Sequence, residues 1–166
     1  HKRAFDNDEG PNTGGMGAYS PVPSISREIE ETAMDRIMVP MAKAMVREGC
    51  PFCGILYGGL MLTAEGPKVI EFNARFGDPE TEVVLPRMKS VLFTHIMDLL
   101  HGEEFTVDWD EDTFLGVVMA SAGYPENATK GIPIRDPGKV SNMVFHMGTA
   151  LKDGQWLTDG GRVLFV

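Results

Sequence analysis

Ile70-Glu71-Phe72-Asn73-Ala74-Arg75-Phe76-Gly77-Asp78-Pro79-Glu80 begins as a strict alternation of apolar and polar residues and ends in a loop. Alternation with period two marks a strand with one dry face. Ile70 and Phe72 then point to a core. Glu71, Asn73 and, if the strand runs on, Arg75 point the other way, spaced about 6–7 Å along the strand. The apolar run 55–62 ahead of it reads as a buried strand, Thr63-Ala64-Glu65-Gly66 as a turn and 68–73 as the returning strand, so the two form a hairpin.

The outward row has a definite chemistry. Glu71 and Asn73 offer hard oxygen ligands of the kind Mg²⁺ takes, and such an ion is held by one or two protein groups plus substrate phosphates. Arg75 can fork onto phosphate oxygens left uncovered by the ion, and positioning with charge neutralisation is most of what a phosphoryl-transfer site supplies. The plainer reading is a solvated strand face with an incidental Glu-Asn-Arg row. The loop that follows adds Asp78 and Glu80 on either side of Pro79. These carboxylates orient substrate amines or waters around the ion in one reading; in the other, Asp78 caps the next helix and Glu80 sits favourably near its N-terminus.

Working outward, Ser24 to Ser26 supply caps for a helix over about 27–48, with apolar residues near a 3.6 period from Ile29 to Met45, Pro40 as a kink and Gly49 as its stop. Val84, Met88, Leu92, Ile96 and Leu99 make a second helical stripe over about 81–100, with Pro86 tolerated near its start. Residues 1–23 read as irregular and turn-rich. The acidic stretch 101–112 reads as a boundary. Beyond it, 114–121 and 142–146 read as strands, 122–131 as a loop, and 150–158 as a hairpin with Asp153-Gly154 at its tip. The chain is therefore expected to be α+β, with one part over 1–108 and a small, mainly antiparallel β-rich part over 109–166.

Asn12-Thr13-Gly14-Gly15-Met16-Gly17 lacks the Gly-Lys-Ser/Thr ending of a Walker loop and follows no strand, so it is not a dinucleotide fingerprint. Clustered glycines allow backbone N–H groups to converge on an anion; a plain turn cluster is the alternative. His1-Lys2-Arg3 is the one concentration of positive charge, a phosphate contact or a polar strand end. Lys130 and Arg135 flank a glycine turn and are equally open. The 166 residues carry a formal net charge of −9, which argues against nucleic acid as a partner. The two cysteines, Cys50 and Cys53, form a lone CPFC pair without further zinc ligands and read as structural, in keeping with a reducing compartment. No apolar run reaches the ~20 residues of a membrane span, and no signal peptide is visible. An opening at His1 without methionine and an ending in the strand-like Arg162-Val163-Leu164-Phe165-Val166 read as cuts from a longer protein or as ends left by disordered neighbours.

Several of these segments together resemble one family. Gly10-Pro11-Asn12-Thr13-Gly14-Gly15-Met16-Gly17-Ala18-Tyr19-Ser20-Pro21 after His1-Lys2-Arg3, Gly54-Ile55-Leu56-Tyr57-Gly58-Gly59-Leu60-Met61, the run from Glu71 to Glu80, Ala120-Ser121-Ala122-Gly123-Tyr124-Pro125 and Asp159-Gly160-Gly161-Arg162-Val163 are similar to the phosphoribosylamine–glycine ligases, an ATP-grasp family of purine biosynthesis. The likeness covers essentially the whole chain. It implies the C-terminal portion of an ATP-grasp fold over 1–108, followed by a truncated small C-terminal β-rich domain over 109–166. It implies ATP as a bound nucleotide and Mg²⁺ or Mn²⁺ held by Glu71 and Asn73. Arg75 and Asp78 are the implied catalytic residues. Arg75 lies at the phosphates, and Asp78, Pro79 and Glu80 lie beside the acceptor substrates. Asn12, Thr13, Gly14, Gly15 and Met16 are implied to border glycine or 5-phosphoribosylamine. It also implies a cytoplasmic enzyme whose N-terminal and ATP-clamping domains lie outside this chain, so that the 166 residues alone are expected to be inactive. Another ATP-grasp carboxylate–amine ligase is the alternative within the same chemistry, and the Gly-Asp-Pro-Glu ending argues against it; a folded, non-catalytic fragment is the alternative outside it.

Overall fold

The computed structural model describes residues 1–135 and 143–166. Its elements run β1 (Arg3–Phe5), β2 (Glu9–Asn12), β3 (Gly17–Ser20), α1 (Arg27–Ala33), α2 (Val39–Arg47), β4 (Tyr57–Thr63), β5 (Gly66–Asn73), α3 (Thr81–Val84), α4 (Leu92–His101), β6 (Phe114–Ala120), β7 (Phe145–His146), β8 (Thr149–Lys152), β9 (Gln155–Thr158) and β10 (Arg162–Phe165). The architecture is α+β, as expected. By their contacts these residues form two compact units: His1–Ser20, Asp78–Arg87 and Asp112–Val166 make one, and Pro21–Gly77 with Met88–Glu111 the other.

The first unit is built on a four-stranded antiparallel sheet in the order β3-β6-β10-β7. Residues 1–23, expected to be irregular, thus supply a sheet strand in β3 and a short ladder between β1 and β2. The segment is too short and turn-rich to announce strands by periodicity; pairing with partners far along the chain makes them. Val83 of α3, Val118 and Phe165 are buried together, with Met16, Ala18, Phe114 and Phe145 packed around them. Phe165 meets Phe145 edge-on with ring centroids 6.3 Å apart, the arrangement that opposes positive ring edge to negative ring face. The hairpin of β8 and β9 turns at Asp153 and Gly154, both at positive φ (50° and 77°), as a two-residue hairpin turn of this hand requires. Of the strand expected over 142–146, Asn142 lies outside the described residues and β7 occupies only Phe145 and His146.

In the second unit, Ser26 caps α1 by accepting the Ile29 N–H on its hydroxyl. The single helix expected over 27–48 is interrupted by a π-type turn at Met34–Met38, just ahead of Pro40. Proline offers no N–H to the preceding turn, and a wider turn accommodates the loss. β4 and β5 pair as the expected hairpin, from Tyr57 opposite Asn73 to Thr63 opposite Gly66. The ladder slips between Gly59 and Leu60, which face Glu71 and Val69, so Ile70 is the extra residue of a bulge. Ile70 is consequently 62% exposed instead of core-facing. The two cysteines are free and exposed.

The stripe expected as one helix over 81–100 is two helices. α3 tightens to a 3₁₀ turn at Leu85–Arg87, around Pro86, and ends. Residues 88–90 then pair with the acidic stretch: Met88 bridges Trp109 and the Lys89 N–H donates to the Asp108 carbonyl at 2.8 Å. α4 closes on Gly102 in the left-handed conformation. α3 belongs to the first unit and α4 to the second. Among the described residues, the buried hydrophobic side chains Val83, Val118, Val163, Leu164 and Phe165 all come from the first unit.

Candidate functional site

The residues singled out by the sequence fall into two local groups, one in each unit. In the second unit, the end of β5 carries Glu71 and Asn73. The strand stops at Asn73, so Arg75 is not the third member of a strand row; it lies in the bend that follows. Its guanidinium nonetheless folds back on the row. Nη2 reaches the Asn73 Oδ1 at 3.5 Å, and Nη1 donates to the Phe76 carbonyl at 2.7 Å. Those bonds leave Arg75 exposed and engaged with its immediate neighbours. Glu71 is exposed too, and its side chain lies over Gly59, its partner in the ladder: a β-carbon there would come within 3.1 Å of the Glu71 Cγ. Asn73 has its side-chain nitrogen buried without a hydrogen-bond partner, a cost unless an acceptor arrives.

The donor set fits a magnesium–phosphate group. Glu71 and Asn73 bring two hard oxygens, and among the described residues no cluster of three or more His, Cys, Asp or Glu side chains could enclose a metal. Two protein oxygens suit an ion that completes its shell with water and substrate phosphates. The orphaned Asn73 amide nitrogen suits a phosphate oxygen.

In the first unit the second group is tightly knit. Four consecutive backbone donors of the glycine-rich loop are already taken. Thr13 N–H donates to the Lys2 carbonyl at 2.8 Å and Met16 N–H to the His1 carbonyl at 2.7 Å. Gly14 N–H donates to the Tyr124 hydroxyl at 2.9 Å, and Gly15 N–H to the Thr13 hydroxyl at 3.0 Å. The loop is therefore no open anion nest: its glycines serve close packing. Gly15 has φ +115° with Pro79 Cδ 2.5 Å from where a β-carbon would sit, and a β-carbon on Gly14 would lie 2.7 Å from the Arg162 guanidinium carbon. Asn12 ends β2, and Met16 packs against the core.

Arg162 stands at the centre of this group, and sequence reasoning gave it no role. Its Nη1 is 2.8 Å from Asp78 Oδ1, 3.1 Å from the Gly14 carbonyl, 3.5 Å from that of Gly15 and 3.2 Å from that of Asp78. Asp78 thus pairs with Arg162; α3 begins after Glu80 without a side-chain cap, so the capping reading of Asp78 is not what the structure shows. A slip in the β10–β6 ladder between Arg162 and Leu164 explains how the arginine gets there. The bulge breaks alternation: Arg162 falls opposite Ala120 and Phe165 opposite Val118, so the two share a face, and Val163, Leu164 and Phe165 are all buried. The only signal in sequence was an arginine directly after two glycines, and Gly161 is flush against the Tyr124 ring, which leaves no room for a β-carbon.

Glu82 is the second residue the sequence did not mark. Burial holds its carboxyl above the usual carboxylate range, with Asp78 and Glu80 adding to the rise and its own backbone N–H and Arg162 opposing it. Its Oε2 is buried without a hydrogen-bond partner. His1 and Arg3, with Phe5, Asp6, Asp8 and Met16, line a separate cavity of about 330 Å³.

Three stretches that looked alike in kind, Asn12–Gly17, Ala120–Pro125 and Asp159–Val163, therefore meet in one place. Comparison with known proteins follows the same segments. The family model for the phosphoribosylglycinamide synthetase ATP-grasp (A) domain matches residues 1–81, and that for the C domain of the same synthetase matches residues 114–166. This chain belongs to the phosphoribosylglycinamide synthetase family. A phosphoribosylamine–glycine ligase of Halalkalibacterium halodurans is 55% identical over 168 residues, covering 100% of this chain and 39% of the relative. One from Listeria monocytogenes is 54% identical over 170 residues, covering 100% and 40%. The crystal structure of the Thermotoga maritima phosphoribosylamine–glycine ligase superposes with a TM-score of 0.80 at 38% identity, over 99% of this chain and 41% of that one. The chain thus spans about two fifths of the length of the relatives it matches. Among the described residues no helix is long and apolar enough to cross a membrane.

Proposed function

We propose that this chain is part of an ATP-dependent ligase that joins glycine to 5-phosphoribosylamine through glycyl phosphate, releasing glycinamide ribonucleotide, ADP and phosphate. A glycine carboxylate oxygen attacks the γ-phosphorus as the bond to ADP breaks. The amine nitrogen of phosphoribosylamine then attacks the acyl carbon, expels phosphate and loses a proton. A carboxylate is a poor acyl donor until its oxygen becomes a phosphate leaving group, which is why ATP is spent. One observation carries the reading. At the end of β5, Asn73 is bonded to Arg75 and keeps an unpartnered amide nitrogen, two residues from Glu71. That arrangement suits an anion.

Glu71 and Asn73 would hold Mg²⁺ or Mn²⁺ in this reading, and the ion would supply charge neutralisation at the ATP phosphates. Arg75 donates to phosphate oxygens. Asp78, oriented by Arg162, positions a substrate amine; Pro79, Glu80 and Asn12–Met16 border the glycine and phosphoribosylamine side. The division proposed is an ATP-grasp portion over 1–108 and a small C-terminal domain over 109–166, completed by N-terminal and ATP-clamping domains, in a cytoplasmic enzyme. The test is a magnesium titration of the full-length ligase. Glu71→Ala is expected to lower turnover by orders of magnitude and Asn73→Ala by less, because a neutral amide offsets less charge. A Glu71→Ala enzyme with the wild-type rate and magnesium midpoint overturns the assignment.

A further inference from the structure

We propose that Arg162 is a positioning residue of the acceptor side, and that β10 of the C-terminal portion thereby completes a substrate surface whose other residues come from the N-terminal portion. This rests on the ligase reading for what the surface binds, but the clamp itself stands on geometry. One guanidinium nitrogen faces the Asp78 carboxylate at 2.8 Å and the carbonyls of Gly14 and Asp78 at 3.1 and 3.2 Å. It therefore ties two turns that lie in different parts of the sequence. The Arg162 side chain is only 18% exposed, and charge-assisted hydrogen bonds away from water are the strong ones.

Nothing else in the group can substitute. The loop's four N–H groups are bonded to the His1 and Lys2 carbonyls and the Thr13 and Tyr124 hydroxyls, so the carbonyls of Gly14 and Gly15 are what remains to grip. Pro79 is fully buried and packs the second turn against Gly15. Gly14 leaves the space the guanidinium occupies. Arg162 is also the cation set against the carboxylates of Asp78 and Glu82, the first directly paired. Its loss lets the two turns part and leaves neighbouring carboxylates uncompensated. Both effects fall on Asp78 and on the Gly14–Gly15 turn, while the Glu71–Asn73 hairpin end belongs to the second unit.

The experiment uses the full-length ligase with Arg162→Met, Arg162→Lys and Tyr124→Phe, and it has two arms. In the first, amide hydrogen exchange is read at residues 13–16. Arg162→Met is expected to speed exchange there by about tenfold or more while leaving the β8–β9 hairpin unchanged. Unchanged exchange at 13–16 overturns the clamp, whatever the enzyme's activity. In the second arm, kcat/KM for the glycine and phosphoribosylamine substrates is expected to fall about 10²-fold in Arg162→Met, the scale of a small misplacement, with the KM for magnesium–ATP held within about twofold of wild type. Lysine keeps the charge without the fork and should recover part of the loss; Tyr124→Phe, which loosens the same turn from its other side, should show a milder version. If Arg162→Met does not fold, these two variants decide. Wild-type acceptor kinetics with a lowered melting temperature overturn the positioning role, as does a rise in the ATP KM in step with the acceptors. A wild-type enzyme without glycine-dependent ADP formation refutes the ligase reading, and the exchange arm still decides the clamp.

Discussion

Gly15→Ala is the substitution that most directly tests why the glycine-rich loop is built as it is. The new β-carbon would stand 2.5 Å from Pro79 Cδ, against about 3.5–4.0 Å for carbon atoms at their best separation. Pro79 is fully buried and cannot step aside. Two costs add: about 1–3 kcal/mol for an L side chain held at a strained φ, here +115°, and about 1–3 kcal/mol for overpacking. Gly131→Ala is the control, in the same unit, because Gly131 has φ +77° and nothing within 4 Å of an added β-carbon. It carries strain alone, and the smaller entropy of the unfolded alanine chain, about 0.4–1 kcal/mol, affects both variants equally. The difference between them should therefore be at least about 1–3 kcal/mol. Trp156 lies in the first unit and Trp109 in the second, so a Trp109→Phe background lets fluorescence follow the first unit alone in urea. Both variants are read as midpoints at constant m. Equal destabilisation in the two variants refutes the claim that Gly15 is dictated by its contact with Pro79.

Glu82 gives a pH signature. A carboxyl held above its ordinary value of 4.5 favours the folded state while protonated. That contribution is complete below the unfolded-state pKa and is lost as pH rises through the folded one. The melting temperature of wild type relative to Glu82→Gln should accordingly fall as pH is raised from 4 to 8; a pH-independent difference contradicts the assignment. Arg75→Lys in the full-length ligase is expected to keep its melting temperature and lose most of kcat, since lysine has no fork for phosphate. Unchanged kcat with a lowered melting temperature would make Arg75 a scaffold residue. Phe165→Ala, at a side chain 2% exposed, should cost about 3–5 kcal/mol, measured by urea unfolding of the first unit; a loss below 1 kcal/mol would show that this core is not closed. Amide exchange in the wild-type chain should be slowest in β6 and β10 and faster in the β4–β5 hairpin, where Met61, Val69 and Ile70 remain exposed; the reverse order contradicts the placement of the buried core.

What the sequence determined was local. The hairpin of β4 and β5, the start of α1 at Ser26, the turn at Asp153-Gly154 and the placing of Glu71 and Asn73 two residues apart at the end of β5 depend on neighbours within a few residues, where periodicity and turn chemistry act directly. Family likeness reached further because whole motifs were present. What only the tertiary structure decided involves residues far apart in the chain or breaks in a local rule. Arg162 grips a carbonyl 148 residues away, and it can do so because a bulge in β10 shifts the register and sets it on the same sheet face as Val118 and Phe165, where alternation counted from Phe165 would have turned it to the other. Another bulge exposes Ile70 against the pattern of its own strand. The stripe 81–100 carries a helical period throughout, yet splits at Pro86 because its two halves belong to different units. Nothing in the sequence marks Glu82; burial and the carboxylates beside it, supplied by folding, are what raise its pKa.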